Sequence, residues 1–141
     1  MTDEVFRLRA SAVCVCVYPD EHSARLGLQA FLRVSDPSIH TIFCSTLPGL
    51  GTAMRLAFRG VFDTLPTGVQ VICEVDSRKK LSEMLAVLAV WLRGQASTRP
   101  VAAVIHTTFC PTEADVEGRH VDVYEVERGR FQVLPGGKHG E

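Results

Sequence analysis

Apolar positions along this chain fall into short dense runs separated by polar turns, and their period changes from run to run. The densest run lies between Gly68 and Val75. Val69, Val71, Ile72, Cys73 and Val75 form a nearly continuous β-branched stretch opened by a glycine, the pattern of a strand buried on both faces at the centre of a sheet. Asp76 stands where that strand stops. Ser77 is placed to cap a helix that Leu81, Met84, Leu85, Leu88 and Leu92 mark at helical spacing. Ala86, Val87, Ala89, Val90 and Trp91 widen the helix's apolar circumference, so it is expected either inside the domain or at a subunit interface.

Upstream, residues 12–18 read as a strand broken by Pro19 and the polar turn Asp20-Glu-His-Ser23. Leu26, Leu28, Ala30 and Leu32 then alternate, which predicts a second strand over residues 25–34, closed by Ser35-Asp-Pro-Ser38. Residues 39–44 make a third, so the chain is expected to open with three antiparallel strands. Pro48-Gly-Leu-Gly51 reads as a breaker, followed by a helix in which Leu50, Met54, Ala57, Phe58, Val61 and Leu65 form one stripe. Downstream, Val101 to Ile105 is a short buried strand ending at His106, and residues 111–118 form an acidic loop or single helical turn. Residues 120–126 and 131–134 alternate around a turn and predict a closing β-hairpin.

At 141 residues the chain fits one domain, expected over residues 1–135, with 136–141 as a flexible tail. A domain of that size buries roughly two-thirds of its unfolded surface, enough for a core without metal or disulfide staples. The composition, 46% hydrophobic and 22% charged, is that of an ordinary globular protein. A net charge of -1 leaves no overall attraction for a polyanion, so any nucleic-acid surface must be a local patch. Four of the five cysteines lie inside apolar runs, which points to reduced, buried thiols in an intracellular setting, cytoplasmic or nuclear. No apolar run approaches the ~20 residues that a membrane span requires.

The order strand, strand, strand, helix, strand, helix, strand resembles the ribonuclease H-like fold over residues 12 to about 105. Tyr18-Pro-Asp20 resembles the end of that family's first strand, where its first acid sits. Leu26-Gly-Leu-Gln-Ala-Phe-Leu-Arg33 looks like its second strand, and Val75-Asp-Ser77 is similar to the Asp-Ser ending its fourth. The resemblance implies an α/β fold with a mixed five-stranded sheet, here followed by the C-terminal hairpin. It also implies carboxylates that hold two Mg²⁺ ions to cleave RNA in an RNA–DNA hybrid, since hard cations need oxygen ligands. Asp76 matches the strand-end acid, Asp20 the first-strand acid, and Asp115, near Glu113 and Glu117, is a further acid by its place in the chain. Where the family carries a helical Glu, however, Ala53-Met-Arg-Leu-Ala57 offers Arg55, a cation that repels a metal and is expected to pair with Asp76.

The resulting expectation is a catalytically degenerate ribonuclease H-like domain that works as a binding or assembly module without metal or cofactor. Arg78, Lys79 and Lys80, with Arg55, are its candidate contacts to the phosphates of a hybrid or single strand. One alternative is a Mg²⁺-dependent nuclease using Asp20, Asp76 and Asp115. Another is a protein-binding homodimer whose interface is formed by Trp91, Val87 and Val90. His40 with Cys44 and His106 with Cys110 recur at four-residue spacing, but lack the tight Cys pairs of a zinc site.

Overall fold

The computed structural model describes residues 13–33, 39–58, 68–94, 101–119, 121–127 and 130–133. Strand β1 (Val13–Val17) leads into helix α1 (Glu21–Arg33), followed by β2 (Ile39–Cys44) and α2 (Leu47–Phe58). Then come β3 (Gly68–Glu74), α3 (Arg78–Gly94), β4 (Val101–Thr107), the short α4 (Glu113–Val116), β5 (Val121–Glu127) and β6 (Arg130–Val133). One six-stranded sheet results, in the order β2-β3-β4-β1-β5-β6. The first five of these strands run parallel, and β6 pairs antiparallel with β5.

This corrects the expected mixed five-stranded sheet with three opening antiparallel strands, and with it the ribonuclease H-like fold class. Residues 21–33 are a helix, so β1 and β2 are separated by a crossover and cannot form a hairpin. The alternation of Leu26, Leu28, Ala30 and Leu32 misleads because it is accidental. The residues that α1 buries are Leu28 and Phe31, with Ala24 packed beside them, at helical intervals of four and three. Leu26 and Leu32 are exposed. Asp20 starts the helix by accepting the Ser23 N–H at 2.7 Å, and Glu21 and Arg33 sit at the ends where the helix dipole favours them.

Helix α2 also begins earlier than the Pro-Gly cluster implies. Thr46 caps it by accepting the Gly49 N–H at 3.0 Å, and Pro48 lies in the first turn, where a missing N–H costs nothing. The later part of the predicted stripe, Val61 and Leu65, lies outside the described residues, as do the first ten residues and the tail at 136–141.

Connection handedness distributes the helices. The chain leaves β1, passes β4 and β3, and adds β2 at the sheet edge; every later parallel connection steps in the opposite direction. Right-handed crossovers therefore place α1 on one face and α2, α3 and α4 on the other. Packing agrees. Val13, Val15, Val17, Val71, Cys73 and Ile105 meet Leu50, Met54, Leu81, Met84, Leu85 and Leu88 of α2 and α3. On the opposite face Cys14, Cys16, Ile72 and Val104 meet Leu28 and Phe31 of α1. Each fully buried Leu or Met contributes about 1.5–3 kcal/mol, so α3 is held mainly by its four such side chains. Among the described residues no helix is long and apolar enough to cross a membrane.

Candidate functional site

Adjacent strands β1 and β4 send their chains to opposite faces of the sheet: β1 continues into α1, β4 into α4. Such a switch point opens a crevice beyond the carboxyl ends of a parallel sheet. Strand alternation decides what faces it. On β4, Ala103 and Ile105 enter the core beneath α2 and α3, so Val104 and His106 turn toward α1. His106 stands in register with Cys16 of β1 and Glu74 of β3.

His106 is almost fully enclosed, at 1% exposure. Tyr18, the residue after β1, places its hydroxyl 2.7 Å from His106 Nδ1, and the two rings stack with centroids 5.6 Å apart. Phe31 of α1 meets the imidazole edge-on at 4.6 Å. Gly27 lets the helix come this close. A Cβ there would collide with the ring and hydroxyl of Tyr18.

Next to this cluster lies a cleft of about 300 Å³. Glu21, Ala24 and Arg25 line it from α1, Glu74, Val75 and Asp76 from the end of β3. His106, Thr107, Thr108 and Phe109 complete it from the end of β4 and the loop beyond. Three carboxylates thus face one guanidinium in a recess that also offers hydroxyls and an aromatic ring.

Nε2 of His106 is buried without a hydrogen-bond partner. Its protonation follows from what Tyr18 needs. If the phenol donates to Nδ1, its proton is satisfied and the ring proton resides on Nε2. If Nδ1 carried the proton, both the phenolic hydrogen and Nε2 would be unmatched, at about 1–3 kcal/mol for each buried group. The first arrangement costs less, so Nε2 presents an N–H donor. Burial holds the Tyr18 phenol well above its usual pKa, keeping that donor in place.

Burial also pushes the His106 pKa down to about 3, so the imidazole is neutral in the folded chain across ordinary pH. The unfolded chain protonates the same residue near 6.5. Between these values the unfolded state binds one more proton, and stability therefore rises with pH. Wild type is expected to lose about 1 kcal/mol between pH 6 and pH 5 that His106→Phe does not lose, as measured by urea unfolding at each pH. Identical pH slopes in the two proteins would refute this. At lower pH Asp20, Asp76 and Asp115 act in the same direction: their depressed pKa values contribute stability that disappears as each carboxylate is protonated.

The acids singled out in the sequence do not assemble. Asp76 lies at the cleft, but its partner is Lys80 at 3.0 Å and not Arg55; hydrogen bonding and charge from Lys80 hold its pKa low. Asp20 caps α1, and the Ser23 backbone N–H lowers its pKa. Asp115 caps α4, accepting from the Thr112 N–H at 2.9 Å and the Ser82 hydroxyl at 2.8 Å. Burial pushes the Asp115 carboxyl up, yet these hydrogen bonds outweigh it. Among the described residues no three His, Cys, Asp or Glu side chains are grouped to hold a metal ion.

Of the basic residues, Arg78 donates to the Cys110 carbonyl at 3.0 Å, and Lys80 also reaches the Ser45 carbonyl at 3.1 Å. Lys79 is exposed, and Arg55 donates to Thr52 Oγ1 of its own helix at 3.2 Å. Val87 and Trp91 pack against the domain's own core, while Val90 is exposed. The broad apolar girth of α3 is thus largely absorbed within the domain.

Gly27, Arg25 and Glu74 draw no functional expectation from the sequence, while Tyr18 reads only as part of a strand end and His106 only as a metal-ligand candidate with Cys110. One signal was present: His106 closes an apolar strand, the same position that drew attention to Asp76. No protein-family model matches the chain, and the search of curated proteins found no match. A solved structure from Pyrococcus horikoshii OT3 is similar over 93% of this chain and 90% of its own, at 10% identity and a TM-score of 0.48, a likeness that fixes neither fold nor activity.

Proposed function

We propose that this domain binds a small polar molecule in the cleft between α1 and the carboxyl ends of β3 and β4. The observation that carries this reading is the unpartnered Nε2 of His106, a buried donor on a residue that lines the recess. A ligand oxygen that accepts from it would remove a standing desolvation cost. Glu21 and Glu74 set the complementary requirement, hydroxyl or ammonium donors on the ligand, and with Asp76 already paired to Lys80 their excess over Arg25 disfavours polyanions. An amino sugar or amino alcohol has this combination. The role is binding; no reaction is assigned to these groups.

Amide chemical shifts of the ¹⁵N-labelled chain, titrated with glucosamine, a neutral polyol and inorganic phosphate, test the proposal. Glucosamine is expected to shift the amides of Glu74, Thr107 and Thr108, phosphate to leave them unmoved, and His106→Phe to weaken glucosamine at least about tenfold, the equivalent of one buried hydrogen bond. Shifts that survive His106→Phe, or none from any probe, would overturn it.

A further inference from the structure

Beyond the cleft, two buried thiols face each other across the sheet. Cys44 ends β2 and Cys73 lies in β3; they are direct register partners on neighbouring parallel strands. Their side chains enter the same core, and the sulfurs are 3.4 Å apart. Neighbouring strands are about 4.8 Å apart. Disulfides span Cα separations of about 4.4–6.8 Å, so joining this pair requires side-chain rotation and no change of register. Cys14 and Cys16, by contrast, are neighbours along one strand, and Cys110 is exposed on a loop. Among the described residues β2 is an edge strand of the sheet, and Cys44 sits at its last position, 6% exposed, while Cys73 is at 0%. A small oxidant approaching from that edge therefore meets Cys44 before Cys73.

We propose that Cys44 and Cys73 form a redox-modification site, a dithiol that a hydroperoxide converts into a cross-strand disulfide. The Cys44 thiolate attacks one peroxide oxygen, the O–O bond breaks, and hydroxide leaves to take up the proton released from the thiol. Cys44 is then a sulfenic acid. The Cys73 sulfur attacks the Cys44 sulfur, the S–S bond forms as the S–O bond breaks, and a second water departs. Two thiols and one hydrogen peroxide thus give one disulfide and two waters. The hydrogen bond from Cys73 favours the Cys44 thiolate, whereas donating that bond and full burial raise the Cys73 pKa, which suits Cys44 as the attacking group and Cys73 as the resolving one. The pair lies on the face of the sheet opposite His106.

The test is to treat the full chain with about one equivalent of hydrogen peroxide, alkylate the remaining thiols in denaturant, and map the peptides by mass spectrometry. The expected product has lost two of its five thiols and contains a Cys44–Cys73 cross-linked peptide lighter by two hydrogens, restored by dithiothreitol. In Cys73→Ala, Cys44 is expected to stop at a sulfenic acid that dimedone traps. If that variant fails to fold, the wild-type peptide map decides alone. Both thiols remaining free, Cys44 advancing to sulfinic acid with Cys73 still alkylated, or disulfides formed instead through Cys110 would each overturn the proposal.

Discussion

Phe31→Ala is expected to destabilise the domain by about 3–5 kcal/mol, while Leu32→Ala, one position later, changes stability by less than about 0.5 kcal/mol. Phe31 is 2% exposed and packs with Leu28 against the sheet, its ring edge on His106; Leu32 is 44% exposed. Truncating Phe31 removes the transfer free energy of a buried ring and leaves a cavity between α1 and β4 that their neighbours only partly fill. Removing most of Leu32 opens no cavity. The pair also separates helix from strand over residues 21–33. Alternation through Leu26, Leu28, Ala30 and Leu32 would bury Leu32 and expose Phe31, so equilibrium urea unfolding of the two variants with reversed magnitudes would refute the helix.

A second large effect has the opposite sign from the usual rule. Gly→Ala inside a helix ordinarily stabilises by about 0.5–1 kcal/mol, because glycine has more chain entropy to lose. Gly27→Ala is expected to destabilise by about 1–3 kcal/mol, since the new methyl overlaps the Tyr18 ring. Tyr18 has little freedom to yield: it is 3% exposed, and its hydroxyl is bound to His106. The strain should therefore reach the imidazole, with the ¹H–¹⁵N signals of the His106 side chain moving along with the unfolding midpoint. A stabilised Gly27→Ala protein would mean that α1 stands further from the sheet than described.

Local chemistry made much of the framework legible. The β-branched run at Gly68 to Val75 became β3, buried on both faces, and the stripe from Leu81 to Leu88 became α3 with Ser77 at its start. Residues 39–44 and 101–105 are strands, as their apolar runs indicate, and an antiparallel pair does close the chain. Residues 21–33 failed because two periods coexist there: four aliphatic residues at period two, and Ala24, Leu28 and Phe31 at helical spacing. The Asp20 cap and Arg33 in the last turn were the deciding local signals. That one error turned a crossover into a hairpin, reversed a strand, and created the likeness to a ribonuclease H sheet.

The sequence by itself determined which segments could be buried, because hydrophobic periodicity is a property of neighbouring residues. It determined, too, that an acid would stand at the carboxyl end of β3. Only the tertiary structure decided strand order, direction and the site. Tyr18 and His106 are 88 positions apart and meet because β1 lies beside β4, an adjacency set by the crossovers and by how both faces are covered. Burial of the imidazole, and with it the depressed pKa and the unmatched Nε2, follows from α1 laying Phe31 over that pair and not from any residue next to His106 in the chain.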